Sequence, residues 1–205
     1  MNSSGGFLAL FDKEIVLPKS AKDLEFLKIK AQAACDYNAK WHSRLPKIDW
    51  GNVVRNTHSV CFAAVYDEQV YAITIWSSPV AQNRFQYGKQ ILELRRMATS
   101  PEAPKFTATR MLAKNRKWIY QNMKDIALLV SYQDTEVHTG TIYKADNWLA
   151  KSESKGLKWN NDLRKRNEEQ SLATKVRWEY KLREFTEIQL VPKISGSNSQ
   201  LEIFA

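Results

Sequence analysis

Apolar and polar positions alternate along the chain in short segments, some with the period of a strand and some with that of a helix. Phe7 to Leu17 has room for one or two short strands before Pro18 closes the run. Ser20, with Asp23 three residues on, makes a capping-box pair that is expected to open a helix reaching about Asn38. Ser59 to Tyr66 (SVCFAAVY) and Val70 to Trp76 (VYAITIW) have the branched and aromatic content of strands, with Asp67-Glu68-Gln69 as the tight turn between them. Leu92 to Met97 (LELRRM) alternates apolar with charged side chains and predicts a further strand. On a regular strand Arg95 and Arg96 point to opposite faces, so only one of them reaches a given site. Pro101 and Pro104 break the chain ahead of Thr107, a predicted N-cap for a helix over Ala108 to Met123.

Ile126 to Val130 is an unbroken apolar run, as expected for a strand buried on both faces. Ser131, Tyr132, Gln133, Asp134, Glu136 and His138 follow at once, then Gly140 and a short predicted helix, Thr141 to Asn147, that carries Tyr143. A buried strand that ends in a polar loop and a helix start puts reactive side chains at the carboxyl edge of a sheet. An ordinary connection with a solvated polar tip has the same pattern. Trp148 to Lys151 reads as a short strand, Asn160 to Gln170 as a charged helix or loop, and Lys175 to Leu182 as the last main strand. The order predicts a mixed α/β (α+β) architecture: a central mixed sheet flanked by helices, antiparallel hairpins early and βαβ units late.

At 205 residues the chain is expected to be a single domain over 1–205, with a core of about 7–185 and a flexible tail of about 193–205. A formal charge of +9 favours a polyanionic partner, nucleic acid or a phosphorylated cofactor. Cys35 and Cys61 have no metal or CxxC spacing and read as buried reduced thiols of a cytoplasmic protein. No apolar run approaches the roughly 18 residues of a membrane span. The start lacks a basic n-region, so a secretory signal is not expected.

The order of elements resembles the GNAT acyltransferase fold, and GTIYKADNW is similar to its tyrosine-bearing helix, with Tyr143 in the tyrosine position. Three segments together resemble the Mom family of phage DNA-modification proteins: LELRRM, the PK-x-T-x-x-R helix start from Pro104 to Arg110, and SYQDTEVHTGTIYKADNW from Ser131 to Trp148. The last carries an SYxD, H-x-G-x-I-Y and A-x-N-[WF] series. WHSRLP (Trp41 to Pro46) and KVRWEY (Lys175 to Tyr180) resemble the family's early histidine segment and its closing basic-aromatic strand. The resemblance implies an enzyme that attaches a carbamoylmethyl-type group to the exocyclic amine of adenine in double-stranded DNA. That modification shields phage DNA from restriction in the host cytoplasm. Two positions depart from the family pattern: Ser43 where relatives carry tyrosine, and Phe106 where asparagine follows the Pro-Lys pair.

Adenine's amine is a weak nucleophile and must be oriented and relieved of a proton. Asp134 is the expected base or positioner, or else a helix cap or a cation's partner. Tyr143 is the expected proton donor to the leaving group, or else a core aromatic. The resemblance adds Arg96, as a phosphate or leaving-group contact, and His42. Cofactor contacts are expected from Met97, Lys105, Thr107, Thr109 and Arg110, since free N–H groups at a helix start bind a pyrophosphate. The GNAT resemblance implies an acyl-CoA or related donor, although the usual GNAT glycine-rich loop is missing. Relatives are suspected of using iron, which makes His42, His138 and Asp134 candidate Fe(II) ligands, but no HxH or HxxxH spacing supports this. His58 reads as structural. Lys158, Arg164, Lys165, Arg166, Lys175 and Arg177, interleaved with Trp159 and Trp178, are the candidate DNA contacts or else a solvated charged surface. A flipped base would stack on Tyr132, Trp148 or Trp41. Two other functions fit the same pattern, a GNAT N-acyltransferase for a small amine or a protein, and a non-catalytic basic DNA-binding protein. Oligomeric state is left open, a homodimer included.

Overall fold

The computed structural model describes residues 16–42, 47–79, 90–155 and 173–186. The alternating segments become strands β1 (Glu25–Ile29), β2 (Ser59–Tyr66), β3 (Gln69–Ser77), β4 (Ile91–Thr99), β5 (Leu128–Asp134), β6 (Leu149–Ser154) and β7 (Lys175–Lys181). Helices α1 (Ala31–Trp41), α2 (Trp50–Val54), α3 (Thr107–Asn122) and α4 (Thr141–Ala145) complete the described elements. The strands form one sheet in the order β1-β2-β3-β4-β5-β7-β6. Among the described strands only β4 and β5 pair in parallel. A parallel pair needs a crossover, and α3 is it. The architecture is the expected mixed α/β one, a central mixed sheet flanked by helices.

Two apolar layers cover the sheet. On one face α3 and α4 pack over Phe62, Ala72, Trp76, Leu92, Leu94 and Leu129. Residues Met111, Leu112, Asn115 and Ile119 recur at helical spacing, so α3 buries one stripe. Asn115 lies 2.6 Å from Thr74 Oγ1, and with its amide oxygen turned toward Trp76 Nε1 all three buried polar groups are satisfied. On the other face Ala34, Cys35 and Val53 of α1 and α2 pack over Cys61, Ala63, Ile73, Ile75 and Ala98. Both cysteines are free and buried, as expected.

Several boundaries differ from the sequence reading. Ser20 and Asp23 do form the reciprocal cap, but they cap a single 3-10 turn, Ala21–Asp23, and β1 follows. The helix therefore starts only at Ala31. Edge strand β1 is mostly exposed, so its hydrophobic pattern carries no alternation to reveal it. Of the early strand predicted over Phe7 to Leu17, 7–15 lie outside the described residues, and Val16 and Leu17 are not in a strand. Thr107 is the first helical residue rather than the cap; Phe106, at φ 69°, holds the N-cap position. The turn between β2 and β3 has Asp67 and Glu68 at positive φ, the backbone of a two-residue hairpin turn.

Two irregularities prepare the site. First, β4 carries a bulge: Ile75 faces Arg96 but Trp76 faces Leu94, so Arg95 has no residue opposite it in the β3–β4 register. In an unbroken strand Leu94 and Arg96 would share a face. The extra residue moves Arg96 to the α1/α2 face, opposite Ile75, and puts Met97 on the α3 face, opposite Thr74. The expected simple alternation of Arg95 and Arg96 is thus replaced by a bulge, with Arg95 Nη1 donating to Ser77 Oγ at 3.1 Å. Second, the parallel ladder stops at Leu94 opposite Ser131. Beyond it β4 stays with β3 and β5 stays with β7, so the two strands splay.

Candidate active site at the splayed strands

Alternation along β5 assigns each side chain to a face of this slot. Leu129 belongs to the α3/α4 layer, and so do Ser131 and Gln133; Tyr132 and Asp134 take the other face. On the α3/α4 side, Tyr143 of α4 lies with its hydroxyl 2.8 Å from Ser131 Oγ, at the last paired rung. Its ring stacks on Trp178 (centroids 5.3 Å apart) and meets Trp148 edge-on. Tyr143 is only 7% exposed, and burial raises its pKa, so the phenol keeps its proton. Asp134 and Tyr143 therefore do not converge on one point: they stand on opposite faces of β5. Strand periodicity gives the reason, because Tyr143 packs on Ser131 and Asp134 is three residues further along.

α4 is held in place by buried polar contacts. Asp146, 4% exposed, accepts from Arg116 Nε (3.2 Å), Arg116 Nη2 (2.9 Å) and Trp148 Nε1 (2.9 Å), tying α3 to the chain after α4. Gly140 opens α4 at φ 74°. A Cβ there would meet Gln133 Oε1 at 2.5 Å and Trp178 Cζ2 at 2.7 Å, so no other residue fits. Gln133 uses both ends of its amide: Oε1 accepts from Trp178 Nε1 at 2.7 Å, and Nε2 donates to the carbonyl of His138. The loop between Asp134 and Gly140 is pinned by these contacts. Neither Ser131 nor Gln133 has a role assigned from the sequence, although Ser131 opens the SYxD series.

The other face gathers charge. Arg96 is largely buried; its Nη1 donates to Arg95 O at 2.7 Å, and its Nε finds no acceptor among the described residues. Desolvation, then the neighbouring Arg95, lowers its pKa. His42, at the C-terminal end of α1, has its pKa lowered by burial first, then by Arg96 and by His138, which keeps the imidazole neutral. Arg96 and His138 thus each lie within electrostatic reach of His42, and Arg96 stands on the face that Asp134 takes. Asp134 Oδ1 accepts from Glu136 N–H at 3.1 Å, and its carbonyl accepts from His138 N–H at 3.0 Å, so the carboxylate also shapes its own turn. Among the described residues no three His, Cys, Asp or Glu side chains come together in a metal-binding group, so the candidate ligands His42, His138 and Asp134 do not assemble an Fe(II) site.

At the start of α3 the N–H groups of Ala108 and Thr109 find no acceptor among the described residues, whereas Thr107 N–H and Oγ1 both turn back to Pro104 O. Lys105 is exposed, and Arg110 lies over the Phe26 ring (5.7 Å) with a buried Nε that has no hydrogen-bond partner among the described residues. Met97 packs into the α3-side layer, and the helix start with Lys105 and Arg110 is the group of residues that could hold an anionic cofactor. Of the candidate DNA contacts, Lys158, Arg164, Lys165 and Arg166 lie outside the described residues, as does Trp159. Arg177 is ion-paired with Glu179, and Lys175 faces Asp134 in register across β7 and β5. Trp178 and Trp148, each about 4% exposed or less, are core and cannot stack on a base; Trp41 is half-buried against Tyr37. His58 pairs with Asp125 at 2.8 Å, a structural contact as expected.

No helix among the described residues is long and apolar enough to cross a membrane. The fold is that of GNAT acetyltransferases. Over 82% of this chain and 98% of the other, it matches the ribosomal-protein-S18-alanine N-acetyltransferase from Escherichia coli (TM-score 0.57, 9% identity). Spermidine N-acetyltransferase from Vibrio cholerae, solved in complex with CoA and spermine, matches over 78% and 96% (TM-score 0.56, 8% identity). A GNAT acetyltransferase from Streptococcus pneumoniae matches over 77% and 98% (TM-score 0.54, 7% identity). No curated protein matches the sequence. The profile of the Mom protein family, in contrast, matches residues 24–194, a span that takes in the bulged strand, the slot and the tyrosine helix. On this match the chain belongs to the Mom protein family.

Proposed function

We propose that the protein is a transferase that moves a carbamoylmethyl or acyl-derived group from a coenzyme A-type or related donor to the exocyclic amine of adenine in double-stranded DNA. The observation that carries this reading is the slot itself, which has a protonated phenol on one face and a neutral imidazole beside a guanidinium on the other. The donor comes from the α3 side, its phosphates on the helix start near Lys105, Thr107, Thr109 and Arg110, and its reactive end passes Met97 to reach the slot. The base comes from the α1/α2 side. As the amine attacks, its proton passes to neutral His42, with Asp134 orienting the amine and Arg96 balancing developing negative charge. The leaving group departs with its electron pair toward Tyr143, whose proton it takes while Ser131 holds the hydroxyl. Donor and acceptor thus meet across the sheet, which gives Asp134 and Tyr143 separate tasks on separate faces. The Mom membership and the +9 charge support DNA as the partner, and the same charge disfavours a polyamine acceptor.

The test is mass spectrometry of nucleosides from digested DNA of cells making the protein. Wild type is expected to yield a new adenine species, and Tyr143→Phe to yield far less of it, about 100-fold or more if proton donation limits the rate. Absence of any new adenine species with wild type would sink the reading; undiminished modification by Tyr143→Phe would remove the phenol from the mechanism.

A further inference from the structure

We propose that Trp50 is the side chain that enters the base stack of duplex DNA when the target adenine is turned out toward the slot, an inference that rests on the DNA reading above. Chemistry on a base inside a duplex requires that base to leave the stack, and an apolar side chain is the usual filler of the gap. Trp50 is 48% exposed and Val54, one turn on, is 49% exposed, so the outer face of α2 is apolar where solvent would favour polar residues. Val53, between them in sequence, is fully buried in the layer that also holds Cys35 and Ala34, which anchors the helix to the face carrying Arg96.

The tip that presents Trp50 is stiffly built. Asp49 Oδ1 caps the helix by accepting from Asn52 N–H at 2.9 Å. Gly51 leaves room for that cap, since a Cβ there would meet Asp49 Oδ1 at 2.9 Å and Arg55 Nη1 at 3.4 Å. Asn52 Oδ1 accepts from Arg55 Nη2, folding the guanidinium back over the helix, and Asn56 closes the end on Asn52 O. Lys47 and Arg55, both exposed, flank the tryptophan, and the one acid between them is the capping Asp49. A rigid aromatic between two cations suits a base stack bordered by phosphates. Val53 shares its buried layer with Ile75, whose register partner is Arg96, which sets α2 on the acceptor face of the sheet.

The experiment compares Trp50→Ala and Trp50→Phe with wild type in fluorescence-anisotropy binding to two probes at one fixed salt concentration: an intact duplex, and the same duplex with a short unpaired bubble holding adenines. Stacking of one base on an aromatic corresponds to roughly a tenfold or larger change in affinity. Trp50→Ala is expected to lose about that factor on the intact duplex and to stay within about twofold on the bubble, where no stack needs filling; Trp50→Phe is expected to recover most of the loss. Because the side chain is half exposed, the melting temperature is expected to change little. Equal binding of wild type and Trp50→Ala to the intact duplex, or an equal loss on both probes, overturns the proposal. In either case a new adenine species made by wild type leaves the DNA reading standing, whereas its absence removes both.

Discussion

Replacing Asp146 tests whether the α3–α4 junction is held electrostatically or by packing alone. The carboxylate accepts three hydrogen bonds, two from Arg116 and one from Trp148 Nε1, and it is 4% exposed. In Asp146→Ala, Arg116, whose side chain is 26% exposed and lies 4.3 Å from the Tyr180 ring, can hydrate and keep its stacking. Its share of the loss is then about 1 kcal/mol. Trp148 is 3% exposed, so its indole N–H would be left buried without an acceptor, at about 1–3 kcal/mol. The sum is about 3 kcal/mol, or roughly 6–12 °C in melting temperature for a chain of this size. Asp146→Asn keeps an acceptor for Trp148 and loses only the charge, so about 1 kcal/mol is expected. Urea unfolding of the three proteins measures both numbers. An alanine variant within about 0.5 kcal/mol of wild type, or an asparagine variant as unstable as alanine, would refute the assignment of roles to the three bonds.

Two further outcomes follow from the site. The pKa of His42 is held below its ordinary 6.5, so the unfolded chain takes up that proton first as pH falls. The contribution of neutral His42 is complete above about pH 6.5 and is lost on acidification below it, and His42→Gln should therefore lose stability less steeply than wild type between about pH 7 and pH 5; parallel profiles for the two proteins would contradict this. Gly140→Ala combines a left-handed backbone, about 1–2 kcal/mol, with displacement of Gln133 and Trp178, so a loss above roughly 2 kcal/mol is expected in chemical denaturation. Faster hydrogen exchange of the Thr135–Thr139 amides in that variant would show the loop released, and unchanged exchange would show it held by other contacts.

Much of the fold was legible because its central strands obey simple periods. The β2–β3 hairpin, β4 and β7 stand close to where alternation and apolar runs put them, whereas β5 begins two residues after the apolar run does and continues through Ser131 to Asp134, residues read as loop. Strand β1 was lost because its exposed edge position leaves no apolar face to read, and the genuine Ser20–Asp23 cap then pointed to a helix that is only one turn long. Phe106 shows a different lesson. The asparagine expected there is a residue that tolerates left-handed backbone, and the backbone here is left-handed at φ 69° although the side chain is phenylalanine. The conformation was therefore encoded in the neighbouring residues, not in the one that adopts it. For the site, residue types were legible and facing was not. A single bulged residue turns Arg96 over, and no periodicity in LELRRM announces it. Burial by distant segments likewise decides that Trp148 and Trp178 are core while Trp50 is not.

The early end of the β4–β5 ladder has a consequence for how such a chain can change. Every rung left unmade beyond Leu94 and Ser131 is cohesion the molecule forgoes, and a sequence selected for thermal endurance alone would drift toward zipping the two strands shut. Stabilising substitutions should therefore be easy to find around this gap and should silence the protein as they accumulate, whereas equally stabilising changes at the far ends of the sheet should leave it at work.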